Sequence, residues 1–318
     1  MGQSHVIVAC MRNEALFVVE WVAHHLAAGF DRIVVYTNDC DDGTDKLLAR
    51  MQAGGAPVVQ VDNPGPYRDT IQKQALLMAY DLPAVRQADW VMHIDADEYL
   101  NVSVGERRIG DLVALHPQAE AVAVLWKHFG SAGMQVWPGG SVVETFTMGE
   151  GVVPNPRRGR DVGFKTVFRP KAFGAMGVHH PRRPLSDPPV IVNAAGVAMP
   201  VENVMSRHRS GYPVKGVHCT WDNAVIHHHH VKSDDLHRLK HARGDANGAN
   251  NAKREIGSPE YHAANRNEAE DLSLVAFRPR VRLIEAELRA LPGVAEAEAE
   301  AWEWFVGFAA READHRCE

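Results

Sequence analysis

The sequence predicts an α/β fold: a mainly parallel, Rossmann-like sheet flanked by helices, with further helices at the C-terminal end. Three observations carry this. Short apolar runs alternate with helical stretches through the first hundred residues, each run stops at a polar cluster, and two amphipathic stripes close the chain.

The first run, His5 to Cys10, ends at Met11-Arg12-Asn13-Glu14. A helix follows, with Leu16, Val19, Ala23 and Leu26 on one face and Gly29 just past its end. Arg32-Ile33-Val34-Val35-Tyr36 is the second strand, stopping at the polar stretch Thr37 to Thr44. A second helix runs from Thr44 to Gln52, burying Leu47, Leu48 and Met51 before Gly54-Gly55. Pro57 to Val61 reads as strand three, and a third helix places Ile71, Ala75 and Met78 on one face. Trp90-Val91-Met92-His93-Ile94 is the fourth strand and runs directly into Asp95-Ala96-Asp97-Glu98. Helices of this length between strands imply right-handed crossovers, and ligands of such sheets bind beyond the carboxyl ends of the strands. The polar clusters after strands one, two and four all fall at that edge.

The middle of the chain is less regular. Ala121 to Trp126 and Phe164 to Phe168 read as strands, between turn-rich segments such as Trp137-Pro138-Gly139-Gly140 and Pro154-Asn155-Pro156. Arg182 to Pro189 is a proline-rich surface loop, and residues 242–258, rich in Ala, Asn and Gly, form another loop. Val281, Ile284, Leu288 and Leu291 then make one helical stripe, broken at Pro292-Gly293, and Ala297, Ala301, Trp304 and Phe308 make a second. Such helices either cap the domain, which is the commoner use, or form a homodimer contact.

A chain of 318 residues and 35.1 kDa allows one large domain or two small ones. No apolar run approaches the roughly 18 residues that span a bilayer, and the opening MGQSHVIVAC has neither the basic segment nor the cleavage site of a secretory signal. Thirty-four basic against forty acidic side chains give a net charge of −6, which argues against nonspecific nucleic-acid binding. The cysteines (Cys10, Cys40, Cys219, Cys317) are scattered without a CxxC pair, which fits a reducing cytoplasm.

Asp95-Ala96-Asp97 is the sharpest chemical feature. Where the chain leaves a strand, a loop can turn both carboxylates toward one hard cation, and oxygen ligands of this kind suit Mg²⁺ or Mn²⁺ gripping a diphosphate. A lone DxD is common in turns; its place after an apolar strand of a βαβ half adds specificity. The 18 histidines include four in a row, His227 to His230. If that segment is extended, His228 and His230 face one way and His227 and His229 the other, so at most two share a metal. For a single histidine the ordinary use is a packed or surface imidazole, and His24, His25 and His93 are assigned to it.

These residues also match a known family. Met11-Arg12-Asn13-Glu14, Glu20-Trp21, His25 and Gly29-Phe30-Asp31 resemble the opening of glycosyltransferase family 2, and more closely its bacterial branch related to family 92, where lysine usually precedes the Asn-Glu pair. Asp89-Trp90 with Asp95 to Leu100 is similar to that branch's Asp-x-Asp-Glu segment, and Trp126 with Phe129-Gly130-Ser131 to its Trp-x-x-Phe-Gly-Ser stretch. Glu144-Thr145-Phe146, Lys165-Thr166 with Arg169-Pro170, and His179-His180-Pro181 follow in order. His228 with Lys232-Ser233 resembles a His-Tyr-x-x-Lys-Ser motif, with His229 in place of the tyrosine, and Tyr261, Asn265, Asn267-Glu268 and Asp271 resemble the closing segment. The likeness covers about residues 5–275.

The resemblance implies the GT-A fold. Residues 1–100 would be its nucleotide-sugar-binding half, 101–275 the half that binds the acceptor and closes the active site, and 276–318 a C-terminal helical extension. It implies an enzyme that moves a sugar from a nucleoside diphosphate donor, UDP-linked, to a carbohydrate or glycolipid hydroxyl with inversion. The setting would be cell-surface polysaccharide or glycolipid synthesis, in the cytoplasm or at the inner face of the membrane. Mn²⁺ or Mg²⁺ would be held by Asp95, Asp97 and His228. The donor would meet Arg12, Glu14, Asn38, Asp39, Asp42, Lys73, Asp95, Ala96 and Lys232, with Lys232 neutralising phosphate. Trp126, Gly130, Ser131 and His180 would border the acceptor. Inversion needs a general base, for which Glu144 is the first choice and Asp187 and Asp222 the alternatives. A metal-dependent nucleotidyltransferase would normally carry a Gly-rich, basic phosphate loop near strand one, absent here. A non-catalytic nucleotide-sugar or metal-binding protein is the other alternative, and intact Asp95, Asp97, His228 and Lys232 argue against decay.

Overall fold

A computed structural model of the chain describes residues 2–67, 70–154, 162–205, 211–212, 218–244 and 255–314. The N-terminal elements are β1 (His5–Met11), α1 (Ala15–Ala27), β2 (Arg32–Thr37), α2 (Thr44–Ala53), β3 (Val58–Asp62), α3 (Ile71–Tyr80), α4 (Pro83–Arg86) and β4 (Trp90–His93). The middle adds β5 (Glu98–Val102), α5 (Ile109–Ala114), β6 (Ala121–His128), α6 (Val142–Thr145), β7 (Met148–Gly149) and β8 (Val162–Phe168). Then come β9 (Phe173–Ala175), β10 (Arg182–Pro184), β11 (Ile191–Asn193), α7 (Val201–Val204), β12 (Gly211–Tyr212) and β13 (Ala224–His228). The chain closes with α8 (Asp234–Ala242), α9 (Pro259–Ala264), β14 (Ala269–Glu270), α10 (Arg278–Arg289) and α11 (Val294–Asp314).

The four strands expected of the first hundred residues are present and parallel, in the order β3-β2-β1-β4. The sheet continues as β8-β6-β13-β5, with β11 beside β6 and β12 beside β8. This second half is mixed. β8 is antiparallel to β4 and to β6, whereas β13 runs parallel to β6 and antiparallel to β5. Two reversals restore direction, so β1, β2, β4, β6 and β13 all present their carboxyl ends at one edge. Two apolar clusters cover the two faces of the sheet. One joins Trp21, Val35, Met92 and Ile226 to the C-terminal helices, and the other joins Tyr36, Tyr80, Leu125 and Phe168.

One expectation needs correction, and two further features stand out. α3 turns Gln72, Ala75, Leu76, Ala79 and Tyr80 inward while Met78 is 40% exposed, because it packs toward β1 with a face one residue away from the expected stripe. Glu98 begins a buried strand rather than ending a loop. The two C-terminal stripes pack on the domain: α10 lies along α1, and α11 along α2 and α1. Asn155, Pro156 and residues 245–254 of the expected loops lie outside the described residues. Among the described residues, no helix is long and apolar enough to cross a membrane.

Candidate functional site

The loops after β1 and β2 are stitched together before any ligand is considered. Asn13 sits at φ 53°, a left-handed conformation that asparagine tolerates, and its Oδ1 accepts the Asp41 N–H at 2.8 Å. The Asp42 carboxylate accepts the N–H groups of Ala15 and Thr44 at 2.8 and 2.9 Å, and the Thr44 hydroxyl accepts the Glu14 N–H at 2.8 Å. Asp42 is therefore a loop brace with both oxygens engaged, not a group facing a donor. Arg12 donates to the Asp39 carbonyl at 3.1 Å, and Arg243, just past the end of α8, donates to the carbonyls of Arg12 and Asn13 at 3.1 Å and pairs with buried Glu14.

Asp95 and Asp97 leave β4 in different company. Asp95 Oδ2 accepts from Lys165 of β8 at 2.7 Å, and its Oδ1 accepts from Gln72 at 2.8 Å and lies 3.2 Å from His93 Nε2. Lys165 is fully buried, donates also to the Val178 carbonyl, and lies 3.6 Å from Glu98 Oε2. Burial pushes the Glu98 carboxyl well above the usual carboxylate range, against the pull of Lys165. Burial acts the same way on Asp95, but there Lys165 and His93 win and hold it low.

Asp97 faces the histidine run. Its Oδ1 is 3.6 Å from His228 Nε2, its Oδ2 is 3.9 Å from His230 Nδ1, and Lys240 of α8 donates to Oδ2 at 2.5 Å. Burial alone would raise the Asp97 carboxyl; Lys240, His228 and Lys232 outweigh it and hold it well below the usual range. One ligand atom from each of Asp97, His228 and His230 lies within 4.8 Å of the others. This oxygen-and-imidazole set suits Mn²⁺ or a similar borderline divalent ion, and His228 Nδ1 is a buried nitrogen with no hydrogen-bond partner among the described residues. The alternation expected of the run holds. His227 and His229 point to the opposite side, stacked on Phe129 at 4.4 and 4.8 Å, and Asn101 Nδ2 donates to His227 Nε2 at 3.1 Å. The group that could hold a metal thus includes His230, which was not among the expected ligands, while the oxygens of Asp95 are turned to Lys165 and Gln72.

A cavity of about 400 Å³ opens at the carboxyl edge of the sheet. Arg12, Glu14, Asn38, Asp95, Ala96, Asp97, Trp126 and His228 line it, as expected. Gln72, His128, His179, His230, Lys240 and Arg243 line it as well, although the sequence reading assigned them no role. Several misses are near ones. Gln72 reaches in where exposed Lys73 was expected, and His179 where His180 instead donates from Nδ1 to the Pro181 carbonyl. Lys232 is buried with its ammonium 4.7 Å over the Phe17 ring, and burial lowers its pKa to about 8; Lys240, two turns further on, takes the contact to Asp97. Asp39 is exposed at the loop tip, off the cavity wall.

Apart from Trp126, the expected acceptor and base residues do not line this cavity. A side chain at Gly130 would come within 2.4 Å of Asn265 Oδ1, and the Ser131 N–H donates to the same oxygen at 2.8 Å, so this stretch is a packing seam against the closing segment. Glu144 accepts from Arg278 Nε at 3.0 Å and pairs with Arg282, both on α10. Asp187 and Asp222 are exposed and do not line the cavity. Among the described residues, Glu14, Asp95 and Asp97 are the carboxylates on its wall.

Comparisons with known proteins agree with the residue pattern. A protein of rice, "Glycosyltransferase family 92 protein Os08g0121900", is 26% identical over 187 residues, covering 56% of this chain and 30% of its own length. The chain thus matches less than a third of that relative. Among solved structures, the mannosyltransferase PcManGT of Pyrobaculum calidifontis, in complex with GDP-Man and Mn²⁺, is 14% identical, covering 100% of this chain and 80% of its own, at a TM-score of 0.35. HddC of Yersinia pseudotuberculosis is 13% identical, covering 54% of this chain and 78% of its own, at a TM-score of 0.31. Both structural likenesses are weak. The sequence pattern of glycosyltransferase family 92, by contrast, matches residues 5–243, most of the chain, and spans every strand whose carboxyl end meets the cavity. The chain belongs to glycosyltransferase family 92.

Proposed function

We propose that the chain is a metal-dependent glycosyltransferase that moves a sugar from a nucleoside diphosphate donor, UDP-linked, to a carbohydrate or glycolipid hydroxyl in one inverting displacement. The observation that carries this reading is a cavity at the carboxyl edge of the sheet where Asp97, His228 and His230 converge beside Arg12, Lys240 and Arg243. Residues 1–100 supply the donor half, with Asn38 and the loop around Asp39 facing base and ribose. Residues 101–275 supply the acceptor half, with Trp126, His128 and His179 as its wall.

Asp97, His228 and His230 are the residues that would hold Mn²⁺ or Mg²⁺, which when bound would neutralise charge developing on the departing diphosphate. Arg12 and Arg243 offer planar guanidinium groups to the phosphate oxygens, pre-oriented by their bonds to Asp39 and to the Arg12 and Asn13 carbonyls. Lys165 fixes Asp95 from beneath, so that the rim of the site is rigid on its sheet side. The C-terminal helices serve the domain as a cap, the outer faces being available to a second copy. A location in the cytoplasm or on the inner membrane face completes the reading.

A thermal-shift panel of nucleotide sugars with and without Mn²⁺ tests it. A metal-dependent rise with one nucleoside diphosphate sugar, followed by turnover giving an inverted anomeric coupling by NMR, is the expected outcome. No shift with any donor would remove the donor assignment, and a retained anomer would remove the single displacement.

A further inference from the structure

Lys240 stands where a divalent ion would have to enter. Its ammonium donates to Asp97 Oδ2 at 2.5 Å, lies 2.9 Å from His230 Nδ1 and donates to the His230 carbonyl at 3.3 Å. It thereby engages two of the three candidate ligands at once, with a side chain only 13% exposed. The surroundings are already rich in positive charge. Lys232 bears on both Glu14 and Asp97, and Arg243 pairs with Glu14, so with Lys240 three cations face two carboxylates. A divalent ion added to this cluster alone brings like charge against Lys240 at contact distance. A diphosphate reverses the balance, since its oxygens can accept both the ion and the displaced ammonium.

We propose that Lys240 is the resident counter-cation of the Asp97–His228–His230 set, excluding a lone divalent ion and yielding Asp97 when diphosphate arrives with the metal. Binding of the two is thereby coupled: each pays less electrostatic cost in the other's presence. Lys240 acts here as a positioning residue, and the proposal rests on the metal reading given above. Lys232 is the natural control. It carries the same charge into the same cluster but has its ammonium over Phe17 and makes no contact with the three ligand side chains.

Mn²⁺ alone, titrated into the full-length protein and followed by electron paramagnetic resonance of the free ion, tests this without any turnover. Lys240→Met is expected to bind Mn²⁺ tighter than the parent by about tenfold or more, the scale set by removing a partly buried competing charge. Lys232→Met should gain distinctly less, and adding Asp97→Asn to Lys240→Met should abolish the gain. Equal gains in the two lysine variants would overturn the proposal, because a general field and not occupancy would then be responsible. Unchanged or weaker binding in Lys240→Met, with the parent binding Mn²⁺, would overturn it while leaving the metal reading intact. Binding by neither protein would overturn both, and Lys240→Arg, which keeps the charge, guards against a folding artefact by restoring exclusion.

Discussion

Two buried clusters of carboxylates and cations, one at the sheet edge and one under the C-terminal helices, use the same residue types to different ends. At the edge, Asp95, Asp97 and Glu14 pair with Lys165, Lys240 and Arg243, and all but Lys165 of these line an open cavity. Under α10, Arg278 is held by Glu285 at 2.6 and 3.1 Å, by Glu144 at 3.0 Å and by Glu20 at 3.5 Å, while the Ser141 hydroxyl and the Val142 N–H also donate to Glu20. Neither Glu144 nor Glu285 lines the cavity at the sheet edge. Pairing and burial are thus common to both clusters, and what separates a candidate site from a structural joint is whether the paired groups border space a ligand can enter. The helical cluster sits at the junction of α1, α6 and α10, so its ion pairs fasten the C-terminal helices to the domain.

The largest expected effect breaks that joint. Arg278→Met leaves Glu20 buried without its cation and Glu285 with only Arg289 at 3.4 Å, a change that typically costs about 3–5 kcal/mol. A loss of roughly 5–7 °C in melting temperature is expected. Activity per folded molecule should stay near the parent's. If melting were unchanged, the C-terminal helices would not depend on this cluster for their docking.

At the sheet edge the expected signs exchange. Asp97→Asn keeps the shape of the side chain and its bond to Lys240 but removes the charge that would hold a cation. Transfer should fall roughly 10²-fold or more, with Mn²⁺-dependent nucleotide affinity lost and cooperative unfolding preserved. Asp97→Asn protein that bound Mn²⁺ and nucleotide like the parent would transfer the metal role away from this carboxylate.

How far the sequence revealed each cluster follows from its chemistry. The edge was legible because strand ends are punctuated locally. The apolar run Trp90 to Ile94 stops at Asp95, and the alternation of an extended chain separates His228 and His230 from His227 and His229. Lys240 and Arg243 were not legible, since they come from a helix whose approach to β1 depends on packing more than 200 residues apart in sequence. Lys165 was quoted only as a motif residue, because nothing local announces that an antiparallel strand will slide its ammonium beneath Asp95. The surroundings of Glu144 were hidden for the converse reason. Its spacing from Phe129-Gly130-Ser131 is real, but its partner Arg278 lies beyond the matched segment, and a one-dimensional pattern cannot show that both its oxygens are taken.

A smaller effect tests burial itself. His24 and His227 are buried, and burial lowers their pKa values to about 4 and about 3, from an ordinary 6.5. Depressed values mean that the unfolded chain takes up protons first, so stability is full above pH 6.5 and is lost as pH falls toward 4 and then 3. Each histidine contributes a slope of at most about 1.4 kcal/mol per pH unit. His227→Asn should flatten the acid limb of a denaturant-stability profile between those limits, whereas an unchanged slope would mean that His227 is not held neutral by its stack on Phe129.

The smallest expected effect returns to the joint and sharpens the contrast most. Glu144 is 27% exposed, and one of its partners, Arg282, is 60% exposed, so solvent screens much of that pairing. Glu144→Gln keeps an oxygen to accept from Arg278 Nε, while Glu285 still holds the guanidinium from the other side. A cost of about 1 kcal/mol or less is expected, read as a small shift of the denaturant midpoint. Turnover should remain near that of the parent, because the carboxylate does not line the sheet-edge cavity and has both oxygens committed to α10. A general base behaves differently: its amide variant loses roughly 10²–10⁴-fold in rate with stability little changed. Measuring both quantities on this one variant therefore separates the roles. A large fall in rate with an unmoved midpoint would restore Glu144 to the chemistry and require α10 to release it on acceptor binding.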